Sequence, residues 1–261
     1  AEPTLRKAAE TLAEMVFRAV GCRLETVTEE DAGVYSEAAY EIVIGTTGRD
    51  TDAVRQARAS LKNDGYALIV ENGRLFITGR IARGAGYGVY SLLEDYVGVR
   101  FYTSDYTVIH EAERVQIPGD LNISFSPPFE YRYVNWFDYL KNPDFAARNK
   151  VNSTLGRRTD VPGGMYYAGG GFVHTLHSLC VEEGEPQRPE QPCLTDEEVY
   201  RRVLANVKKL IEKDPGAPIV SVSQNDSGPE GLGCQCPRCR VLDEEQGTPM
   251  GSLLTFVNRI A

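Results

Sequence analysis

The sequence predicts an α/β protein: a small α/β sandwich at the N-terminus, followed by a truncated TIM-type (β/α) barrel. Three patterns support this prediction. Two apolar runs are joined by the turn dipeptide Asn-Gly at residues 72–73, a Pro-containing polar stretch covers residues 118–128, and beyond it apolar segments alternate with helical ones. The domains expected from these patterns are residues 1–120 and 128–261.

The first 120 residues alternate between helical and strand patterns. Apolar residues at a spacing of three and four predict helices, and short apolar runs bounded by turn residues predict strands. The expected helices cover residues 4–20, 50–62 and about 85–96. The expected strands cover residues 41–45, 66–70, 75–78, 106–109 and 113–117. Together these elements predict a sheet of mixed strands packed against two main helices.

The second part has the rhythm of strand–helix units. Strands are expected at residues 130–136, 172–176 and 219–223, and helices at 143–150 and 196–213. The longest helix has a predicted capping box, with Thr195 as N-cap and Glu198 three residues later. Strands that alternate with helices favour a parallel sheet. Fewer than eight units fit, and the last residues break off inside an amphipathic helical pattern, so a truncated barrel is expected.

Charge and hydropathy limit the class of partner. The 261 residues carry a net charge of −9, and Lys and Arg do not cluster, which disfavours binding to nucleic acid. No apolar run approaches the roughly 18 residues that span a bilayer. The first residues, Ala-Glu-Pro, are typical either of a mature N-terminus after cleavage or of a shortened chain.

Six cysteines offer a structural tie. Cys234, Cys236 and Cys239 form the pattern C-x-C-x2-C, which suits a tetrahedral zinc ion with a His or another Cys as fourth ligand. Disulfides compete with this interpretation, and one could join Cys180 to Cys193. In either case the role is structural, and no cofactor is required for chemistry.

Several motifs resemble those of carbohydrate-active enzymes. Residues 84–94 and 98–102 resemble the N-terminal domain of α-glucuronidases and β-hexosaminidases. Residues 174–178, 192–195, 221–226 and 234–239 are similar to glycoside hydrolase family 163, some members of which are endo-acting β-N-acetylglucosaminidases on complex N-glycans. The resemblance implies a bacterial glycoside hydrolase that is secreted, periplasmic or at the cell surface. Its implied partner is a glycan containing N-acetylglucosamine, cleaved with retention through the substrate acetamide.

The candidate catalytic residues follow the last predicted strand. Active sites of (β/α) barrels lie at the carboxyl ends of the strands, and glycoside hydrolysis uses carboxyl groups beside the scissile bond. Asp226 is therefore the first candidate and Glu230 the second, and the resemblance assigns Asn225 to orienting the sugar acetamide. The competing interpretation is a turn, since Asn-Asp-Ser-Gly is good turn chemistry.

Three further residues are candidates for sugar binding. Arg132 offers a guanidinium fork for hydroxyls, and Trp136, the only tryptophan, offers a flat face, although a lone Trp is more often core. His174 and His177 would point to opposite faces of a strand, which favours His177 at the strand end as the sugar contact. Two alternatives to the amino-sugar hydrolase stay open: an α-glucuronidase-like hydrolase and a non-catalytic carbohydrate-binding protein.

Overall fold

A computed structural model describes residues 2–31, 40–153, 164–182, 184–186, 191–226 and 233–261. The chain divides into two compact units, the first extending to Ser153 and the second containing Met165–Ala261. The first unit is a mixed α/β sandwich, whereas the described part of the second unit is mainly helical. The predicted α/β class is therefore confirmed.

The first unit contains five α-helices and six strands among the described residues. The helices are α1 (Pro3–Val20), α2 (Asp52–Ser60), α3 (Ala82–Leu92), α4 (Phe137–Lys141) and α5 (Pro143–Arg148). The strands are β1 (Glu41–Ile44), β2 (Tyr66–Glu71), β3 (Arg74–Gly79), β4 (Val99–Phe101), β5 (Thr107–Ile109) and β6 (Asn122–Phe125). A single π-helical turn, Leu93–Val97, joins α3 to β4.

Four strands form one mixed sheet in the order β1-β3-β2-β6. Strand β1 runs parallel to β3, whereas β2 is antiparallel to both β3 and β6. The β2–β3 hairpin closes with Glu71 opposite Arg74, and Asn72 and Gly73 adopt φ values of 53° and 76°. Positive φ at both turn positions belongs to a type I′ turn, which Asn-Gly favours. The predicted hairpin is confirmed.

Both faces of this sheet are covered, which is why β2 and β3 are continuous apolar runs rather than alternating ones. On one face, Ile77 joins a cluster with Leu12 of α1 and Tyr87 of α3. On the other face, Phe76 packs in a cluster with Val54 of α2. Successive residues of one strand therefore serve two cores, as the period of two requires.

The division between the units lies later than the sequence predicts. The stretch expected to be a linker contains β6, which pairs with β2, and no strand occurs at residues 113–117. Phe145 of α5 is also buried in the core of the first unit. All four residues of β6 are exposed, so this edge strand carries no apolar run that composition could reveal.

The second unit contains four described helices around its own core. They are α6 (Leu176–Leu179), α7 (Glu197–Lys213), α8 (Pro237–Glu245) and α9 (Gly251–Ile260). Leu176, Val203 and Phe256 join α6, α7 and α9 in one apolar cluster. The predicted long helix is confirmed, but its N-cap is Asp196, whose Oδ1 accepts a hydrogen bond from the Glu198 N–H at 2.8 Å.

The described residues do not confirm a TIM barrel. Residues 130–136 pair with no strand. Residues 172–175, predicted as a strand, form none and lead directly into α6. The segment at 219–223 makes one isolated parallel bridge, between Tyr167 and Ile219. Backbone hydrogen bonds from Ala168 N to Ile219 O (2.8 Å) and from Leu176 N to Ser223 O (3.0 Å) hold residues 168–176 beside residues 219–223. The arrangement is parallel, but no continuous ladder forms.

Candidate functional site

The segment that carries the candidate catalytic residues is held by the start of α6. The Thr175 hydroxyl donates to the carbonyl of Ser221 at 2.9 Å and accepts from the N–H of Ser223 at 2.9 Å. The Thr175 side chain thereby bonds a carbonyl and an N–H that a neighbouring strand would bond in a β-ladder. This arrangement satisfies buried backbone polar groups without a β-ladder.

Asn225 is the most firmly held residue of this segment. Its side chain is buried, and its Oδ1 accepts from the backbone N–H of His177 at 2.9 Å and lies 3.1 Å from His177 Nδ1. The Gln191 amide contacts the backbone of Asn225 twice, accepting from its N–H at 3.2 Å and donating to its carbonyl. Because Asn225 is buried and engaged in this way, the geometry favours a positioning role over direct contact with a sugar.

Asp226, the next residue, is in a different environment. Its side chain is 92% exposed, and its Oδ2 lies 3.4 Å from Nε2 of His174. His174 adopts φ 58°, which is unusual for a residue other than glycine, and no described residue offers a hydrogen-bond partner to its buried Nδ1. Strained residues with an unsatisfied polar atom cluster at functional sites. The Asp226 carboxylate is therefore exposed to solvent beside a histidine with a strained backbone. Among the described residues, no β-strand flanks it.

Both histidines contact this segment, although the sequence predicted that they point to opposite faces of a strand. The prediction placed them on a strand, where a spacing of three points side chains to opposite faces. Instead, His174 precedes α6 and His177 lies within it, so they meet Asp226 and Asn225 respectively. His174 was not among the predicted site residues, although its spacing from His177 would fit two neighbours on a helical turn.

The two remaining predicted sugar contacts lie in the first unit. Trp136 is 68% exposed, so its ring is at the surface rather than in the core. Arg132 is bound to the protein: its guanidinium donates to the carbonyls of Lys150 and Phe129, both at 2.8 Å, and to Asp64 Oδ2 at 2.7 Å. These donors were expected to bind hydroxyls, and the structure assigns them to a structural network.

Asp64 is the centre of that network and was missed by sequence reasoning. Its carboxylate is almost fully buried and contacts Arg132, Arg83 and the amide of Asn152 through one oxygen, Oδ2. Burial raises the pKa of Asp64, but the hydrogen bond and charge of Arg132, the charge of Arg83 and the hydrogen bond of Asn152 leave the pKa below its ordinary value. The three partners come from distant parts of the sequence, so no local pattern indicates them.

The cysteines form a tighter group than the sequence predicted. Cys193 joins Cys234, Cys236 and Cys239, and the four sulfurs lie within 4.8 Å of one another. A backbone hydrogen bond from Cys239 lowers the pKa of the Cys236 thiol to about 6. Cys180 is instead buried in the apolar core of the second unit, so the disulfide considered between Cys180 and Cys193 is wrong.

Glu230, the second candidate carboxyl, lies outside the described residues. A broad groove in the first unit, bordered by α1, β1 and residues 23–31, contains none of the predicted site residues. Among the described residues, no helix has both the length and the apolar character that crossing a bilayer requires.

Comparison with known families identifies the class of each part of the chain. Residues 1–94 match the family model described as glycosyl hydrolase family 20, domain 2. The α/β sandwich is thus similar to a domain found in glycosyl hydrolases. Residues 101–261 match the model described as domain of unknown function (DUF4838), and because this match spans more than half of the chain, the protein belongs to that family. No curated protein matches the chain.

The solved structures that resemble the chain distantly include those of two glycoside hydrolases. One is a family GH115 4-O-methyl-α-glucuronidase with specificity for decorated arabinogalactans, at 14% identity and a TM-score of 0.45 over 97% of this chain and 38% of that one. The other is CpGH84D, at 12% identity and a TM-score of 0.35 over 95% of this chain and 43% of that one. The chain therefore spans less than half the length of either protein.

Proposed function

We propose that this chain is part of a glycoside hydrolase and that Asp226 supplies a catalytic carboxyl. The observation that carries the proposal is the pairing of two consecutive residues with two histidines: Asn225 with His177, and Asp226 with His174. Buried Asn225 fixes the backbone, and exposed Asp226 presents a carboxyl that a sugar can reach. The match of residues 1–94 to a glycosyl hydrolase domain supports the same class independently.

His174 is the positioning partner of Asp226 in this proposal. At 3.4 Å its Nε2 can orient the carboxyl and exchange a proton with it. Catalytic hydrogen bonds are often long before substrate binds, so this distance is compatible with a tighter contact in the complex. Trp136, with its exposed ring, remains a proposed stacking surface for a sugar.

For the substrate we propose a glycan containing N-acetylglucosamine, cleaved with retention. The support is the similarity of residues 221–226 to glycoside hydrolase family 163. The acetamide oxygen of the substrate would attack the anomeric carbon while Asp226 gives its proton to the leaving oxygen. Water would then attack the anomeric carbon, open the cyclic intermediate and return a proton to Asp226. A secreted, periplasmic or cell-surface location fits such a substrate and stays a prediction.

The test is hydrolysis of aryl β-N-acetylglucosaminides, of aryl glucuronides and of complex N-glycans by the purified protein. Asp226→Asn is expected to lower kcat by about 10²- to 10⁴-fold, the usual contribution of a general acid. Asp196→Asn is the matched control, because it removes a partly exposed carboxyl of the same unit while Asn caps a helix as well as Asp does. An Asp226→Asn variant with full activity would overturn the assignment.

The substrate class and the mechanism are tested separately. Fluorination of the N-acyl group weakens the nucleophilic oxygen, so the rate should fall with each added fluorine if the acetamide attacks. The first product released should keep the β-anomeric configuration, as followed by NMR. Hydrolysis of glucuronides alone would refute the amino-sugar substrate, and glycan binding without hydrolysis would indicate a carbohydrate-binding protein.

A further inference from the structure

We propose that Cys193, Cys234, Cys236 and Cys239 bind one structural zinc ion in the second unit. Cys193 Sγ lies 3.7 Å from Cys236 Sγ and 3.9 Å from Cys239 Sγ, and the four sulfurs lie within 4.8 Å of one another. A tetrahedral zinc with Zn–S bonds of about 2.3 Å requires sulfur–sulfur separations of about 3.8 Å. The side chains are already close to that arrangement.

Disulfide bonds fit the same sulfurs poorly. The S–S bond is only about 2.05 Å long, and Cys193 is nearly equidistant from two sulfurs, at 3.7 and 3.9 Å. A pairwise bond would break this symmetry and draw one partner away from the other two. Four thiols gathered around one point are typical of a closed structural zinc site.

The surroundings of the sulfurs favour thiolates. Cys236 is the N-cap residue of α8, and the exposed peptide N–H groups at a helix N-terminus stabilise negative charge. The Thr195 hydroxyl lies 3.3 Å from Cys193 Sγ and 3.5 Å from Cys239 Sγ, where it can donate to a thiolate. Zinc binding would release the remaining thiol protons and leave a site of net charge −2.

The metal would tie together two segments about forty residues apart. Cys193 lies in the stretch before α7, whereas the other three ligands precede and begin α8. Gln191, two residues before Cys193, holds the backbone of Asn225 on both sides. Zinc would therefore position residues 191–195 and, through Gln191, the segment ending at Asp226. The role of zinc in positioning Asp226 rests on the proposed function, whereas the zinc site itself does not.

The first experiment measures metal and thiols in the protein purified without added metal. Elemental analysis should find one zinc per chain, and the denatured, metal-free protein should titrate all six cysteines as thiols. Replacement by Co²⁺ should give the intense visible bands of a tetrahedral thiolate complex. Iron in place of zinc would overturn the identity of the metal. Absence of any metal would overturn the site, whether six thiols titrate or only Cys22 and Cys180 remain reactive because the other four form disulfides.

The second experiment uses variants and a readout that does not depend on activity. Cys193→Ser should reduce bound zinc to near zero, whereas Cys22→Ser, which replaces an exposed cysteine outside the cluster, should keep one equivalent. Chelation of wild type should accelerate hydrogen exchange at the Asn225 amide, since its N–H bonds Gln191. Chelation of Cys193→Ser should add nothing. Full zinc content in folded Cys193→Ser would refute Cys193 as a zinc ligand.

Discussion

At the scale of single residues, one buried carboxylate joins three parts of the first unit. Asp64 precedes β2, Arg83 lies at the start of α3, and Arg132 and Asn152 come from beyond β6. Burying charge is costly unless it is paired, and removal of one partner leaves the others buried without a counter-charge. The intact network therefore adds little to the free energy of unfolding, but removal of the Asp64 charge lowers that free energy strongly.

The substitution Asp64→Asn tests this network. It keeps the shape of the side chain and removes its charge, so we expect a loss of about 3 kcal/mol in the free energy of unfolding. Urea denaturation followed by circular dichroism measures it. The matched control is Asp52→Asn, whose partner Arg55 is on the surface, and we expect a change below about 1 kcal/mol. Equal effects of the two substitutions would contradict the role given to Asp64.

At the scale of elements, the glycines of α3 determine how closely the helix approaches the sheet. Gly84, Gly86 and Gly88 all lie inside the helix. A Cβ on Gly84 would overlap the carbonyl oxygen of Gly65, and one on Gly88 would lie 2.8 Å from Ile77 Cγ2. A Cβ on Gly86 would make only ordinary contacts, at 3.7 Å from Thr4 and 3.9 Å from Ala8.

These glycines should therefore respond differently to the same substitution. Alanine gains up to about 1 kcal/mol over glycine inside a helix, so Gly86→Ala should be neutral or stabilising. Gly84→Ala should lose about 1–3 kcal/mol, because the obstacle is backbone that cannot rotate away. Thermal unfolding of the two variants measures the difference. A more stable Gly84→Ala would show that α3 can move away from the backbone of Asp64 and Gly65.

At the scale of the whole molecule, the first unit extends through α5 to Ser153. Phe145 fills its core, and Tyr87 donates a hydrogen bond to the carbonyl of Val151 at 3.3 Å. Arg132 and Asn152 complete the buried network around Asp64. These contacts make residues 128–153 part of the sandwich rather than the start of the next domain.

Two shortened chains test this boundary. A chain of residues 2–153 should unfold cooperatively, since it keeps the whole core of the first unit. A chain of residues 2–127 should be less stable by at least about 3 kcal/mol, because Asp64 loses two partners and the core loses Phe145. Urea midpoints of the two chains compare them. Equal midpoints would return the boundary to the Pro-rich stretch that composition indicates.

The sequence by itself determined the features that depend on local chemistry. The Asn-Gly hairpin, the helices α1 and α7 and the strands β1 to β3 follow from turn residues and apolar periodicity, which act over a few positions. The same holds for the close spacing of the three cysteines before and within α8, which is typical of a metal site or of disulfides.

The tertiary structure alone decided which distant residues meet. It brought Cys193 to the other three cysteines, Gln191 to Asn225, His174 to Asp226, and Arg132 to Asp64 rather than to solvent. It also placed exposed β6 in the sheet and gave residues 219–223 a single bridge to other described residues. The physical reason is that these contacts join positions tens of residues apart, where burial and hydrogen-bond satisfaction, rather than local propensity, select the partner.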